Sequence, residues 1–285
     1  MLLVVLAALG ALVAWHLAIR PRQSPVATAP APAESSTTTR SSGTVTFAGT
    51  FVYAGEPKRT TYPNSVTVLK NTAYLVAYDE QRENPAWAAY RLPGERKFGT
   101  LPRPRRFSMD SRTVARVAHD DYTNSGFDRG HMVPNFAIAS RFGEAAQAET
   151  FLMSNIVPQA PALNQGPWRI LEETLAEKTS VAAAEIWVVV GPIYDNNVEE
   201  LRSGSEIPDA FFLVVADETP QGPRTQAFIL PQTATRSSNF RTYRTTVQDV
   251  QLKTGLNFFW ELPDPLETRL EAEFGPYWLE ERTGT

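Results

Sequence analysis

Asp128-Arg129-Gly130-His131 puts three groups that phosphodiester chemistry needs within four positions. The carboxylate can orient a neighbour, the guanidinium can clamp a phosphate oxygen, and the imidazole can take a proton near neutral pH. The intervening glycine is expected to let the backbone turn tightly, so that Arg129 and His131 converge on one point. The chain has three histidines, the others being His16 and His119, and His119 is expected at the surface.

Further along, NQGPWRILEETLAEK (Asn164 to Lys178) offers a second set of polar groups on a predicted helix. Asn164 suits an N-cap, and Pro167 is tolerated in a first turn, where its missing N–H has no partner to lose. Trp168, Leu171 and Leu175 form an apolar stripe for the core. Glu172 lies eight residues beyond Asn164, roughly 12 Å along an ideal helix axis. At that separation the two side chains do not ligate one ion directly, although a water can close the gap.

These residues must be positioned by a mixed α and β scaffold. Strands are predicted at Thr44–Tyr53, Ala73–Asp79, Trp87–Arg91, Phe151–Asn155, Ile186–Pro192, Ala210–Ala216 and Gln226–Ile229. The run from Ile186 to Gly191 is continuously apolar, as a strand buried on both faces is. Helices are predicted at Ile138–Glu149, Asn164–Lys178, Thr242–Gly255 and Leu266–Phe274. With 285 residues, 42% of them hydrophobic, there is material for one large domain or two small ones, and no repeat or second linker divides it. The absence of cysteine excludes disulfides, thiolate metal sites and cysteine nucleophiles together.

The net charge of −4 conceals a polarised chain. Arg91 to Arg141 carries ten Lys/Arg against five Asp/Glu, whereas Asp249 to Arg282 carries eight acids against three bases. Such a distribution can present a basic face to phosphates while the whole stays soluble. Residues 1–20 are almost wholly apolar up to Arg20, which suits a transmembrane anchor, with a signal segment as its rival. Arg20 and Arg22 argue for a cytoplasmic C-terminal side. Residues 21–43 are rich in Pro, Ala, Ser and Thr and read as a disordered tether, leaving 44–285 as the folded domain.

SGFDRGHMVPN, followed by FLMSNIVPQAPALNQGPWRILEE, resembles the DNA/RNA non-specific endonucleases of the ββα-metal (His-Me finger) type. YLVAYDEQRENPAWAAYRL, RPRRFSMD and WVVVGPIYD extend the likeness over most of Thr44 to Phe240. The resemblance implies an α+β fold with a central, mostly antiparallel sheet flanked by helices. It implies cleavage of DNA and RNA to 5′-phosphate products. His131 matches the general base, Asn164 the single protein ligand of a Mg²⁺ or Mn²⁺ ion, and Glu172 the carboxylate that holds metal-bound water. Arg129 and Arg105 match phosphate-binding arginines, with Arg103 and Arg106 adjacent to the latter, and Asn155 matches a supporting asparagine. Asp128 is expected to brace Arg129 or its loop.

Two departures stand out. Ala176 lies where some members carry a further arginine, and Leu213 where a lysine is expected. The runner-up reading is a catalytically weak nucleic-acid-binding or uptake protein of the cell envelope. A nuclease facing its own genome is hazardous, which favours a domain facing the periplasm or exterior, or a secreted one, over the side that the two arginines suggest. The resemblance also allows a homodimer.

Overall fold

The computed structural model describes residues 50–60, 66–195 and 197–279. The expected anchor and tether (1–20 and 21–43) lie outside them. Among the described residues no helix is long and apolar enough to cross a membrane.

A seven-stranded sheet runs in the order β10-β9-β8-β7-β4-β3-β2, and every neighbouring pair is antiparallel. Its strands are β2 (Val66–Lys70), β3 (Tyr74–Asp79), β4 (Asn84–Pro93), β7 (Glu185–Ile193), β8 (Ala210–Thr219), β9 (Gly222–Pro231) and β10 (Arg244–Thr245). The short strands β1 (Lys58–Arg59) and β11 (Leu256–Asn257) pair with each other, as do β5 (Asp128–His131) and β6 (Ile156–Gln159).

Both faces of the sheet are covered, so its central strands are apolar on both sides, as the run at β7 predicted. Alternation divides each strand between two cores. Tyr90, Val188, Val190, Leu213 and Phe228 face one core, beside Ile138, Trp168, Leu171 and Leu175 from the helices on that side. Trp87, Val189, Phe212 and Val214 face the other, beside Val250 and Leu270. Val250 lies on α5 (Val247–Thr254) and Leu270 on α6 (Asp264–Ala272). Leu213, in the place of the expected lysine, is buried core. The Asp128–His131 motif sits on the first side, where β5 and β6 feed α1 (Asn135–Glu149) and a helical run between Pro161 and Ala183.

Four expected elements differ. Of the strand expected at Thr44–Tyr53, residues 50–53 are described and form no strand, and the helix expected at Thr242–Gly255 starts only at Val247, because Phe240–Tyr243 is a 3-10 turn and Arg244–Thr245 is β10. Phe151–Asn155 is not a strand: Met153–Asn155 forms a 3-10 turn and β6 begins at Ile156. The reason is Asn155, whose side chain is consumed by neighbouring backbone. The helical run begins at Pro161, so Asn164 is not its N-cap. It comprises α2 (Pro161–Leu163), a π turn (Asn164–Trp168), α3 (Arg169–Thr174), a second π turn (Leu175–Thr179) and α4 (Ser180–Ala183). The first π turn accommodates Pro167, which has no N–H for a regular helix, and Gly166 takes φ −109° and ψ −116°. A Cβ at Gly166 would lie 2.8 Å from the Arg236 Cα, so the backbones meet closely enough to require glycine.

Candidate active site

β5 presents the motif in extended form. Residues two apart share a face of a strand, so Arg129 and His131 project to the same side. This corrects the expected role of Gly130: it makes no turn. A Cβ there would lie 2.6 Å from Gln159 Cβ and 2.4 Å from Gln159 Oε1, so glycine lets the β6 side chain close over β5. Gly130→Ala is therefore expected to destabilise the fold by about 1–3 kcal/mol through overpacking, with a measurable fall in melting temperature. Activity should fall with it, because the strand that carries His131 is displaced. An unchanged melting temperature would mean that the strands do not need this approach.

His131 lies at the end of β5 with its ring packed against a contacting pair of phenylalanines, 5.3 Å from Phe107 and 5.1 Å from Phe151 by centroid, the pair itself being 4.9 Å apart. Its Nε2 is buried without a hydrogen-bond partner among the described residues. Burial, and secondarily the nearby Arg103 guanidinium, push its pKa down to about 3, so the ring is held as a neutral base. The segment that follows is pinned by Asn155. The Asn155 carbonyl accepts from Met132 N–H, its Oδ1 accepts from Val133 N–H, and its Nδ2 donates to the Val133 and Thr150 carbonyls. Asn155 is thus fully engaged beneath the site and holds the backbone next to His131.

Asp128 does not brace Arg129. Its Oδ2 accepts from Asn164 Nδ2 at 2.9 Å and from Gln165 Nε2 at 2.8 Å. A carboxylate only accepts, so the Asn164 nitrogen must face Asp128 and its carbonyl oxygen the other way. Arg129 is held instead by His119, whose carbonyl accepts from Nε at 3.0 Å and Nη2 at 2.6 Å. His119 is accordingly half-buried: its ring stacks on Phe107, and its Nδ1 accepts from the Phe107 N–H.

A cavity of about 410 Å³ brings His131, Arg129, Asn164, Glu172 and Arg103 to one space. Glu172 Oε1 accepts from Trp168 Nε1 at 3.1 Å, one turn back. Burial pushes its pKa up to about 8, against the opposing effect of the Trp168 hydrogen bond. Of the three neighbouring arginines, Arg103 lines the cavity, 5.3 Å above the Phe151 ring, whereas Arg105 is exposed and outside the lining. Arg106 pairs with Asp120. Asn135, at the start of α1, also lines the cavity with Oδ1 buried and unpartnered among the described residues. Sequence reasoning missed Asn135, although it falls inside SGFDRGHMVPN. Ala176 is in the lining too, so no guanidinium enters from that position. Among the described residues no three His, Cys, Asp or Glu gather as a metal cluster.

A strand pair followed by a helix, with a histidine on the first strand and an asparagine on the helix, defines a nuclease of the ββα-metal type. The chain belongs to the DNA/RNA non-specific endonuclease family, whose model matches residues 55–265. It is 26% identical over 223 residues to a nuclease of Serratia marcescens, covering 74% of this chain and 82% of that protein. It is 31% identical over 206 residues to the mitochondrial nuclease EXOG of Danio rerio, covering 66% of this chain and 59% of the relative. In fold it is similar to a chain from a crystal structure of the EndoG/EndoGI complex, with TM-score 0.64 and 22% identity, covering 71% of this chain and 89% of the other. The protein is an endonuclease, and nucleic acid is its substrate class.

Proposed function

We propose that this protein is a metal-dependent, sugar-non-specific endonuclease that hydrolyses DNA and RNA to 5′-phosphate and 3′-hydroxyl ends. The convergence of His131, Asn164 and Glu172 on one cavity carries the reading. The donor set fits a hard divalent cation such as Mg²⁺ or Mn²⁺. Asn164 offers a carbonyl oxygen whose nitrogen is already fixed, and Glu172 Oε1 alone is occupied by protein, by Trp168. Asn164 and, through water, Glu172 would hold such an ion, which would supply positive charge to offset that developing on the leaving oxygen.

The chain's own residues do the rest. His131 takes the proton from the attacking water, whose oxygen forms the new bond to phosphorus as the bond to the 3′ oxygen breaks. The buried Nε2 leaves Nδ1 as the nitrogen that faces the reaction. Arg129 stabilises the phosphoryl oxygens through Nη1, since its other nitrogens serve His119. Arg103 supplies the second guanidinium, in place of the Arg105 that the motif suggested. Asn155 acts through the backbone beside His131. Contacts of this kind go to phosphate and read no base sequence, which accounts for non-specific cleavage.

Digestion of supercoiled plasmid and of structured RNA in Mg²⁺ tests the proposal. Both substrates should be cut, EDTA should stop the reaction, and excess Mg²⁺ should restore it. Cleavage that persists in EDTA, or fragments ending in 3′-phosphate, would refute it.

A further inference from the structure

Half of the ten cations in the basic block between Arg91 and Arg141 are engaged by the protein itself. Arg91 pairs with Glu185, Arg106 with Asp120 and Arg112 with Asp110. Arg129 serves the His119 carbonyl. Arg141 is buried and donates to the Pro93 and Ala176 carbonyls. The cations of this block left with neither an ion pair nor a side-chain hydrogen bond among the described residues are Arg96, Lys97, Arg103, Arg105 and Arg116. Four of these five lie between Glu95 and Phe107, where Glu95 is the sole acid.

That segment is a strap laid along α1 and anchored at several points. The N–H groups of Lys97 and Phe98 donate to the Ser140 carbonyl. Gln147 Nε2 donates to the Pro102 carbonyl, and Ser108 N–H to the Phe151 carbonyl. Pro102 and Pro104 favour extended backbone around Arg103 and withhold N–H groups that would otherwise need partners. The strap ends at Phe107, against the His131 ring, so it leads from α1 directly to the catalytic base. Near its start stands Phe98, 44% exposed, with one edge over Gly143, where α1 is kinked by a φ of 84° and an added Cβ would lie 3.1 Å from the ring.

A row of free cations interleaved with an exposed aromatic ring is the arrangement that tracks a single polynucleotide strand, cations on the phosphates and the ring on an unpaired base. We infer that the strap from Arg96 to Arg105 is a substrate track that delivers an unpaired strand to the cavity, with Phe98 as its stacking platform. The inference rests on the nucleolytic reading of the cavity and adds a preference for strands long enough to reach the strap.

Steady-state kinetics on a single-stranded oligonucleotide of about 16 nucleotides and on a dinucleotide test it in the full-length protein. In the wild type the long strand should be favoured. The double variant Arg96→Gln/Lys97→Gln should raise KM for the long strand about tenfold, and the slope of log KM against log salt should become shallower by about 0.7 per lost cation. Phe98→Ala should raise the same KM about tenfold, with Phe98→Tyr retaining wild-type behaviour. In each case the advantage of the long strand over the dinucleotide shrinks. The inference is overturned if that advantage persists in both variants. It is equally overturned if Phe98→Ala slows the two substrates alike with a lowered melting temperature, because the ring then only packs the helix kink. A wild type that cleaves neither substrate instead sinks the reading of the cavity.

Discussion

His131→Ala is expected to slow plasmid cleavage about 10³-fold while affinity for DNA is retained. The ring packs against the paired Phe107 and Phe151 rings and lines the cavity. The cations that meet phosphate, Arg103 and Arg129, are left in place. Deleting the ring also opens space beside the paired Phe107 and Phe151 rings, on the cavity side, which free imidazole can enter, so added imidazole should restore part of the rate. The pH dependence then identifies the base. Burial, followed by Arg103, lowers the His131 pKa, so the neutral base persists well below the ordinary value of about 6.5. Wild-type kcat/KM should therefore show no acid limb from this group at 6.5. Rescue by imidazole should fall off near that ordinary value, since imidazole free in solution is protonated below it and only the neutral ring enters the buried space. Glu172 is unchanged in the variant, so the displacement between the two curves reports the base alone. Near-full activity of the alanine variant, or rescue without pH dependence, removes His131 from the mechanism.

The scaffold could be read in the sequence wherever one physical demand dominated. The β7 run had to be a doubly buried strand, and it is. The motif residues themselves stood out because Asp128, Arg129 and the rare His131 put a carboxylate, a guanidinium and an imidazole within four positions, whereas Asn164 was singled out as a ligand only through the family resemblance. What could not be read was how these polar groups divide their hydrogen bonds, because that is decided by long-range contacts. Asp128 reaches Asn164, 36 positions away, not its neighbour Arg129. The purpose of Gly130 lies on another strand, at Gln159. The 3-10 turn at Met153 replaces a predicted strand because Asn155 draws in the Val133 and Thr150 backbone. Arg103 and Arg105 are alike in sequence, and only the anchoring of the strap puts the former in the cavity.

Asn164→Ala is expected to cost about 10²–10³-fold in rate at fixed Mg²⁺, the several kcal/mol that a fixed divalent cation contributes. Asp128→Ala should cost about 10–100-fold, and for a different reason. The carbonyl of Asn164 is still present in that variant, but nothing holds its nitrogen, so the amide samples orientations that turn the oxygen away. Raising Mg²⁺ should therefore restore kcat in Asp128→Ala and fail to do so in Asn164→Ala. If Asn164→Ala reaches wild-type kcat at ordinary Mg²⁺, Asn164 is not the ligand. If Asp128→Ala loses rate with an unchanged Mg²⁺ dependence, the carboxylate acts elsewhere. The same contact explains why an amide occupies position 164 where a carboxylate would bind a cation more strongly. Asn164 Nδ2 stands 2.9 Å from Asp128 Oδ2, and only a donor is stable there. Asn164→Asp would set two carboxylates face to face, and one of them would have to hold a proton near neutral pH. That variant is expected to be active only where Mg²⁺ is high enough to displace the shared proton, with its activity rising more steeply with pH than that of the wild type.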